Sequence, residues 1–273
     1  MKNNLDRYGK CAMVIGGAEG LGLAYSKRLA TLGFRVLMID KNQTQLENSI
    51  KALDGHPERN HLPVLMDASA VAADQELFNL IQQNECRIVV YNAAYGPVKK
   101  FLENSIEELE TYSHLHGINV LKLSYRFAKH WLHGEPSAFI GMSSMGALRG
   151  TKLVAPYAST KASIWVLMES LYYEFKGTNL DFICCISGTI NTPHFKSITQ
   201  KKSGFKPKDL EPEQVVEEVF RSIGKKAICV PGRANRLVYF LLKHFMSHRR
   251  ASAITNETIE KMYTEQWAGG YQR

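Results

Sequence analysis

The chain has 273 residues, 45% of them hydrophobic and 22% charged, which suits a single α/β domain with one large core. No apolar run approaches the roughly 20 residues that span a bilayer, and no signal-peptide segment is visible, so we expect a cytoplasmic protein. The five cysteines are odd in number and scattered, which excludes a disulfide framework and a metal-ligand pattern and predicts buried thiols in a reducing compartment.

The formal net charge of +8 lies mostly after residue 195. A basic segment of this kind could meet nucleic acid, anionic lipid or an acidic substrate. Because the sequence has no nucleic-acid motif and no basic stripe interleaved with aromatic residues, we favour a solvated surface and predict no nucleic-acid partner.

The first predicted strand covers residues 11–15, and a glycine-rich turn and a helical pattern follow it. The turn has the spacing Gly16-x-x-x-Gly20-x-Gly22, with Glu19 and Leu21 between the glycines. Glycines let the backbone approach a pyrophosphate, and the start of a helix presents free N–H groups to it. Tight packing of a helix on a strand also uses glycine, so the loop alone is weak evidence.

The second predicted strand, residues 34–39, ends at Asp40, 18 positions after Gly22. In dinucleotide-binding folds an acidic residue near this position accepts hydrogen bonds from the adenosine ribose. Its carboxylate would repel a 2′-phosphate, which favours NAD over NADP. Lys41 could offset that repulsion, so NADP stays open. By itself, Asp40 would be an ordinary residue at the end of a strand.

Strands and helices then alternate, with helices predicted at 44–54 and 71–83 and strands at 62–66 and 87–91. Short joints between such elements predict a doubly wound parallel sheet, the Rossmann fold, in a single domain that spans 1–273. Small or polar residues that follow the strands would face a ligand. They are Asp67, Ala68, Asn92, Ala93 and Ala94.

One long helix is predicted from Ser105 to about His133, interrupted by Gly117-Ile-Asn119. Glycine and asparagine are unfavourable in mid-helix. The interruption is either a tolerated kink or a local bulge that exposes a carbonyl or a side chain to bound water.

The fifth predicted strand, 138–142, delivers Ser143 and Ser144 at its carboxyl end, and a helix to about residue 176 carries Tyr157 and Lys161. These two are four positions apart and lie one turn apart on one helix face. An ammonium beside a phenol favours the phenolate, so the tyrosine could exchange a proton with a substrate oxygen that a serine hydroxyl holds. The sixth strand, 182–186, precedes three further candidates, Gly188, Ile190 and Thr192.

Together these residues resemble the short-chain dehydrogenase/reductase family, from Cys11 to about Arg250. The order and spacing of the motifs carry the likeness, including the thirteen positions from Ser144 to Tyr157. The resemblance implies that Tyr157 is the general acid/base, that Lys161 lowers its pKa and holds the nicotinamide ribose, and that Ser144 binds the substrate oxygen. It further implies that Asn119 opens the long helix so that a water links Lys161 to solvent.

The resemblance also implies the cofactor contacts. Asp67 would meet the adenine, Asn92 and Ala93 the adenosine side, and Ile190 and Thr192 the carboxamide. The complete predicted set is Gly16, Glu19, Gly20, Leu21, Gly22, Asp40, Lys41, Asp67, Ala68, Asn92, Ala93, Ala94, Tyr157, Lys161, Gly188, Ile190 and Thr192.

Three positions depart from the family pattern. Ile15 stands where threonine is usual, Tyr91 where asparagine is usual, and Ser187 where proline is usual. We expect the first two to replace a structural hydrogen bond by packing, and the third to leave the loop after the sixth strand less rigid.

The final part of the chain contains a predicted substrate lid at 193–215 and a helical tail at 231–273 with an apolar helix over 237–246. Its ending resembles a bacterial subgroup related to 3-oxoacyl and hydroxysteroid reductases, which suggests a hydrophobic substrate. The tail could lie on a membrane, but we favour packing on the subunit or a symmetry mate as a roof over the pocket. The family typically forms dimers or tetramers, so we expect a homodimer or homotetramer.

The sequence therefore predicts an NAD-preferring alcohol dehydrogenase or carbonyl reductase. A non-catalytic dinucleotide-sensing protein on the same fold is the main alternative; such proteins commonly lose the Tyr or Lys, and this chain keeps both. A sugar-nucleotide epimerase or dehydratase shares Tyr-x-x-x-Lys but usually has a longer C-terminal domain and different glycine spacing.

Overall fold

The computed structural model describes residues 5–53, 60–197 and 208–263. Within them, seven strands form one parallel sheet in the order β3-β2-β1-β4-β5-β6-β7. The strands are β1 (Cys11–Ile15), β2 (Arg35–Asp40), β3 (Leu62–Leu65), β4 (Ile88–Tyr91), β5 (Ser137–Ser144), β6 (Leu180–Ser187) and β7 (Ile228–Cys229). The predicted doubly wound fold is confirmed, and each predicted strand is present within a few residues of its expected bounds.

Helices cover both faces of the sheet, which is why its central strands are continuous apolar runs rather than alternating ones. The α-helices are α1 (Gly20–Thr31), α2 (Gln43–Lys51), α3 (Ala73–Asn84), α4 (Ile106–Ser113), α5 (Asn119–Trp131), α6 (Ala155–Glu174), α7 (Pro193–Ser197), α8 (Pro212–Ser222), α9 (Arg233–Phe240) and α10 (His248–Met262). The described residues also form two π-helices (His114–Ile118 and Leu241–Phe245) and three 3₁₀ turns (Asp6–Tyr8, Phe101–Glu103 and Met145–Ala147).

Two apolar clusters form the core, one on each face of the sheet. The first packs α1 and α8 against the sheet, and the second packs α3, α5 and α6 against the opposite face. Strand order reverses direction between β1 and β4, so a crevice opens at the carboxyl ends of these strands, where doubly wound folds bind their ligands.

The predicted long helix is divided in three. Ser105 caps α4 in a reciprocal pair with Glu108, the π-helix follows α4 directly, and α5 begins at Asn119. Of the two explanations for Gly117-Ile-Asn119, the local bulge is therefore confirmed, because a π-helix inserts an extra residue into the turn.

The C-terminal tail folds back on the rest of the domain. Its predicted apolar helix is α9 followed by a π-helix, and α10 is a further helix within the predicted helical tail, for which the sequence analysis gave no bounds. Asn256 on α10 accepts the Lys152 backbone N–H at 2.8 Å and donates to the Gly150 carbonyl at 2.8 Å. Lys152 and Glu260 form an ion pair. The tail thus packs on its own subunit.

All five cysteines are buried free thiols, as predicted. Cys11 and Cys86 approach each other with a Sγ–Sγ distance of 3.2 Å. None of the described helices is both long enough and apolar enough to cross a membrane.

Candidate active site

The glycine-rich loop between β1 and α1 fits tightly against two neighbouring segments. A Cβ on Gly22 would lie 1.8 Å from the Gly16 carbonyl oxygen, and one on Gly16 would lie 2.6 Å from the Ala93 Cα. Gly20, with a φ of +53°, faces Thr192, whose Cγ2 would be 3.0 Å from an added Cβ. The structure therefore brings the loop, Ala93 and Thr192 together, as the cofactor assignment requires.

Asp40 at the end of β2 points to the same loop. One carboxylate oxygen accepts the Ala18 N–H at 3.1 Å, and the other accepts the Asn42 N–H at 3.1 Å. Glu19 precedes α1 without capping it through its side chain, and Leu21 in the first turn is buried. The helix N-terminus and an acidic group thus stand side by side, as they do where a dinucleotide binds.

Lys41 is exposed and lies near Asp67 as well as beside Asp40. Although partial burial raises it, hydrogen bonds from Ser69 and the charge of Lys41 hold the pKa of Asp67 below its usual value. The charge of Lys41 is therefore partly balanced by the Asp67 carboxylate, which is the residue predicted to contact the adenine.

Residues after β4 connect the loop to the sheet. The Asn92 and Ala93 N–H groups both donate to the Ile15 carbonyl, at 3.0 and 2.7 Å, and the Asn92 amide donates to the Gly16 carbonyl at 2.9 Å. Ala94 is exposed beside them. Asn92 thus holds the glycine loop in place, and the small side chain of Ala94 does not cover the surface beside that loop.

Asn119 is fully buried and ties α5 to the loop after β3. Its amide donates to the Ala68 and Ala70 carbonyls, both at 2.9 Å. Its Oδ1 is buried without a protein donor among the described residues, so this oxygen is available to a bound water.

Ser144, Tyr157 and Lys161 meet at the carboxyl end of β5. Ser144 is close enough to Tyr157 to act on the pKa of its phenol, and the Lys161 Nζ lies 5.9 Å from the centre of the Tyr157 ring. Ser143, on the opposite side of the strand, donates instead to the Lys161 carbonyl at 2.7 Å. Alternation along the strand therefore gives Ser144 to the site and Ser143 to the packing of α6.

The three residues differ in their exposure to solvent. Tyr157 and Ser144 keep partial exposure, which a group that meets a substrate needs, whereas Lys161 is buried and its Nζ donates to the Met142 carbonyl at 2.9 Å. The backbone of β5 thus holds the Lys161 ammonium inside the protein, whereas Ser144 and Tyr157 are only partly buried.

The protonation of this pair differs from the expectation of a phenol made acidic by Lys161. Protein surrounds Tyr157 densely, so burial raises its pKa, and only the hydrogen bond from Ser144 opposes that shift. Burial also lowers the pKa of Lys161 to about 8. The low-polarity surroundings disfavour the charged form of both groups.

His116, in the first π-helix, joins the site although the sequence analysis did not single it out. It is completely buried, its Nδ1 lies 3.1 Å from the Thr160 hydroxyl, and its ring meets that of Tyr157 edge-on, with centres 6.0 Å apart. Burial, and then the charge of Lys161, hold the pKa of His116 well below its usual value. Its place one helical turn before Asn119 was the available signal.

Tyr91 contacts the same π-helix. Its buried hydroxyl donates to the Leu115 carbonyl at 2.7 Å. The expectation that Tyr91 replaces a hydrogen bond by packing was wrong, because the hydroxyl satisfies a carbonyl that lies in the bulge. Ile15 is packed in the core as expected, and Ser187 donates to the Ser143 carbonyl at 3.4 Å, which links the ends of β5 and β6.

The segment after β6 is pinned to the segment before α8. Ile190 and Leu210 form a parallel bridge, and a Cβ on Gly188 would lie 2.7 Å from the Asn235 amide. Residues 212–215 of the predicted lid belong to α8, where Pro212 and Val215 are buried. Residues 198–207 lie outside the described residues, so the lid stays a prediction.

An apolar cluster from three segments lies beside Tyr157. Leu153 packs with Met262 and Tyr263 at the end of α10, and Val98 and Ile259 pack against them. Burial, and then the nearby Tyr157, raise the pKa of Tyr263. Tyr263, at the end of α10, therefore lies near enough to Tyr157 for the two phenols to interact electrostatically, and the roof over the pocket stays a prediction.

The model of the short chain dehydrogenase family matches residues 10–203. A 7β-hydroxysteroid dehydrogenase from Mediterraneibacter gnavus is 26% identical over 235 residues, which cover 85% of this chain and 89% of that protein.

Solved structures share the fold. A structure described for 7β-hydroxysteroid dehydrogenase stereoselectivity superposes with a TM-score of 0.82 at 22% identity, covering 93% of this chain and 99% of the other. A short-chain dehydrogenase from Sphingobium yanoikuyae in complex with NADPH superposes with a TM-score of 0.71 at 16% identity, covering 85% and 92%.

Proposed function

The chain belongs to the short-chain dehydrogenase family of nicotinamide-dependent oxidoreductases, and on that premise we propose that its substrate is a bulky, mostly apolar secondary alcohol or the corresponding ketone. The observation that carries the proposal is the meeting of Ser144, Tyr157 and Lys161 at the ligand-binding edge of the sheet, next to the apolar cluster of Leu153, Met262 and Tyr263.

The proposed chemistry divides between cofactor and protein. When bound, the nicotinamide gives or takes the hydride. The raised pKa of Tyr157 keeps the phenol protonated, which is the form that donates a proton to a ketone oxygen during reduction. In oxidation the phenol first gives up that proton, for which the neutral amine of Lys161 is the nearby acceptor, and the phenolate oxygen then takes the proton of the alcohol. The Ser144 hydroxyl holds the substrate oxygen beside the phenol.

Lys161 supports both events from its buried position. Its lowered pKa, about 8, lets the amine exchange protons near neutral pH, and its place one turn from Tyr157 keeps that exchange close to the phenol. Asn119, with an unpaired Oδ1 beside the loop after β3, is proposed as the end of the water link from Lys161 to solvent.

The first test replaces Tyr157 by phenylalanine. This variant loses the proton donor but keeps the ring, so we expect turnover to fall by about 10²–10⁴-fold with unchanged cofactor affinity. Tyr172→Phe, on the same helix, is the matched control. Cofactor binding without turnover of any alcohol or ketone by the unaltered protein would favour the dinucleotide-sensing function instead.

NAD is the proposed cofactor, held by Gly16, Glu19, Gly20, Leu21 and Gly22, with Asp40 at the ribose. The fit rests on the close approach of the glycine backbones and on the Asp40 carboxylate beside the Ala18 N–H. Because the similar Sphingobium yanoikuyae protein binds NADPH, the choice needs a direct measurement.

Thermal denaturation with each cofactor separates the two. A ligand at 100 times its Kd stabilises the folded state by about 2.7 kcal/mol, and we expect NADH to give the larger shift. Asp40→Ala removes the carboxylate that would repel a 2′-phosphate. In this variant the difference between the stabilisation by NADH and that by NADPH should become smaller or change sign. Greater stabilisation of the unaltered protein by NADPH contradicts the assignment.

The substrate class follows from the apolar cluster and from the similarity to a 7β-hydroxysteroid dehydrogenase. We propose a hydroxysteroid or another lipid-like alcohol rather than a polyol. An absorbance assay over steroid, long-chain acyl and polyol alcohols tests this, and equal turnover of polyols and lipid-like alcohols would contradict it.

Oligomer formation is proposed through the outer faces of α5 and α6. These faces expose large apolar side chains that a solvated helix rarely carries. They are Leu121, Tyr125, Val166 and Tyr173. Light scattering should give a homodimer or homotetramer, and Leu121→Glu should shift it to a smaller species.

A further inference from the structure

We infer that His116 is a positioning residue, which holds the loop after β4 against the Tyr157 ring by accepting a backbone hydrogen bond with an unprotonated Nε2. This role is additional to the proposed acid/base function of Tyr157 and rests on it.

The hydrogen bonds around His116 select one form of the ring. The Thr160 hydroxyl donates to the Pro156 carbonyl at 2.8 Å, which leaves its oxygen to accept the Nδ1 proton at 3.1 Å. The Tyr95 N–H approaches Nε2 at 3.3 Å, so Nε2 must be the acceptor. Only the neutral ring protonated on Nδ1 satisfies both contacts.

The surroundings keep the ring in that form. The titratable groups that face it are Tyr112 of α4, Tyr95 of the loop, and Tyr157 and Lys161 of α6. The charge of Lys161 adds to burial in disfavouring the imidazolium, and a contact with the Ala93 carbonyl opposes them only in part.

The loop held by His116 is the one that touches Tyr157. Gly96 follows Tyr95 and lies on the phenol ring so closely that a Cβ there would be 2.8 Å from Cδ2 of Tyr157. The other end of Tyr95 is anchored too, because its hydroxyl donates to Glu108 at 2.9 Å and its ring packs on Tyr112 with centres 4.9 Å apart. His116 therefore links this anchored loop to α6 by hydrogen bonds to both, beside the direct contact of Gly96 with Tyr157.

Losing the acceptor should disturb the orientation of the phenol more than the binding of the cofactor. A buried N–H left without a partner is unfavourable, so the loop would shift to find one. Small displacements of a reacting group reduce rates strongly, by as much as about 100-fold for 1 Å. The expected signature is a lower kcat with an unchanged cofactor Kd.

The test compares three substitutions. His116→Gln can place an oxygen near the position of Nε2, His116→Asn can place one near Nδ1 only, and His116→Leu supplies neither. We expect kcat to fall about tenfold or more in His116→Leu and His116→Asn, with His116→Gln recovering to within about threefold of the unaltered protein. His133→Leu, at an exposed site after α5, is the control.

Two results would overturn the inference: a kcat for a folded His116→Leu within about twofold of the unaltered protein, or recovery by His116→Asn equal to that by His116→Gln. Tyr157→Phe in the same assay distinguishes a failure of the His116 inference from a failure of the proposed function. Retained turnover in Tyr157→Phe would refute the proposed function itself.

Nitrogen-15 spectra of histidine-labelled protein give a readout that needs no activity. The signals lost in His116→Gln identify the ring, and we expect them to show the Nδ1-protonated neutral form without titration between about pH 5 and 9. A ring that titrates in this range, or one protonated on Nε2, would also overturn the inference.

Discussion

The hydrogen bond from the Tyr91 hydroxyl to the π-helix should contribute measurably to the stability of the fold. Tyr91→Phe removes one hydroxyl, keeps the buried ring, and leaves the Leu115 carbonyl without its donor at 2.7 Å. A buried acceptor that loses its partner costs about 1–3 kcal/mol, because neither water nor another group replaces the bond. We expect a loss of about 2 kcal/mol in the free energy of unfolding, or a decrease of about 4–8 °C in Tm.

Tyr25→Phe provides a matched control. Tyr25 is equally buried, but its hydroxyl donates only to the Met142 sulfur at 3.6 Å, a weak acceptor whose loss leaves no carbonyl unpaired. Urea unfolding followed by circular dichroism should give a much smaller change, about 0.5 kcal/mol. Equal destabilisation by the two substitutions would refute the reasoning, since the cost would then come from losing any buried hydroxyl.

Two other outcomes follow from the site. Burial lowers the pKa of Lys161 from 10.5 to about 8, so between these pH values the unfolded state binds more protons than the folded state. From about pH 8 to 10.5 the free energy of unfolding of the unaltered protein should therefore rise by about 3 kcal/mol relative to that of Lys161→Met. Parallel plots of unfolding free energy against pH for the two proteins would contradict the shift. Gly22→Ala places a Cβ 1.8 Å from the Gly16 oxygen and should abolish cofactor binding and destabilise the fold by at least about 1–3 kcal/mol, whereas Gly117→Ala, with open space around it, should hold or raise stability in the same unfolding assay.

Local pattern was sufficient to predict the fold, and it also supplied the candidate site residues that the structure brings together. Apolar runs that end in small or polar residues placed β1 to β6 within a few residues of their bounds, because the pattern of apolar and polar residues along a strand is a local property of the chain. The same holds for the pair Tyr157 and Lys161, which one helix brings to one face, and for the bulge at Gly117, which breaks a propensity rule.

Sequence pattern failed where partners lie far apart in the chain. From the sequence, Tyr91 could either pack without a hydrogen bond or donate to a carbonyl. Its bond to the Leu115 carbonyl follows from the position of the π-helix beside β4, which the local sequence does not specify. His116 and Thr160 are likewise on separate helices, and α10 reaches Gly150 and Lys152 across about a hundred residues.

The amino-acid sequence by itself was enough to predict the residues proposed to carry the chemistry: the glycine loop, Asp40, Ser144, Tyr157 and Lys161. Their protonation was decided only by the tertiary structure. An adjacent ammonium suggests an acidic phenol, yet desolvation by the packed domain raises the pKa of Tyr157 and lowers that of Lys161. Burial is a property of the whole assembled core, and no local spacing encodes it.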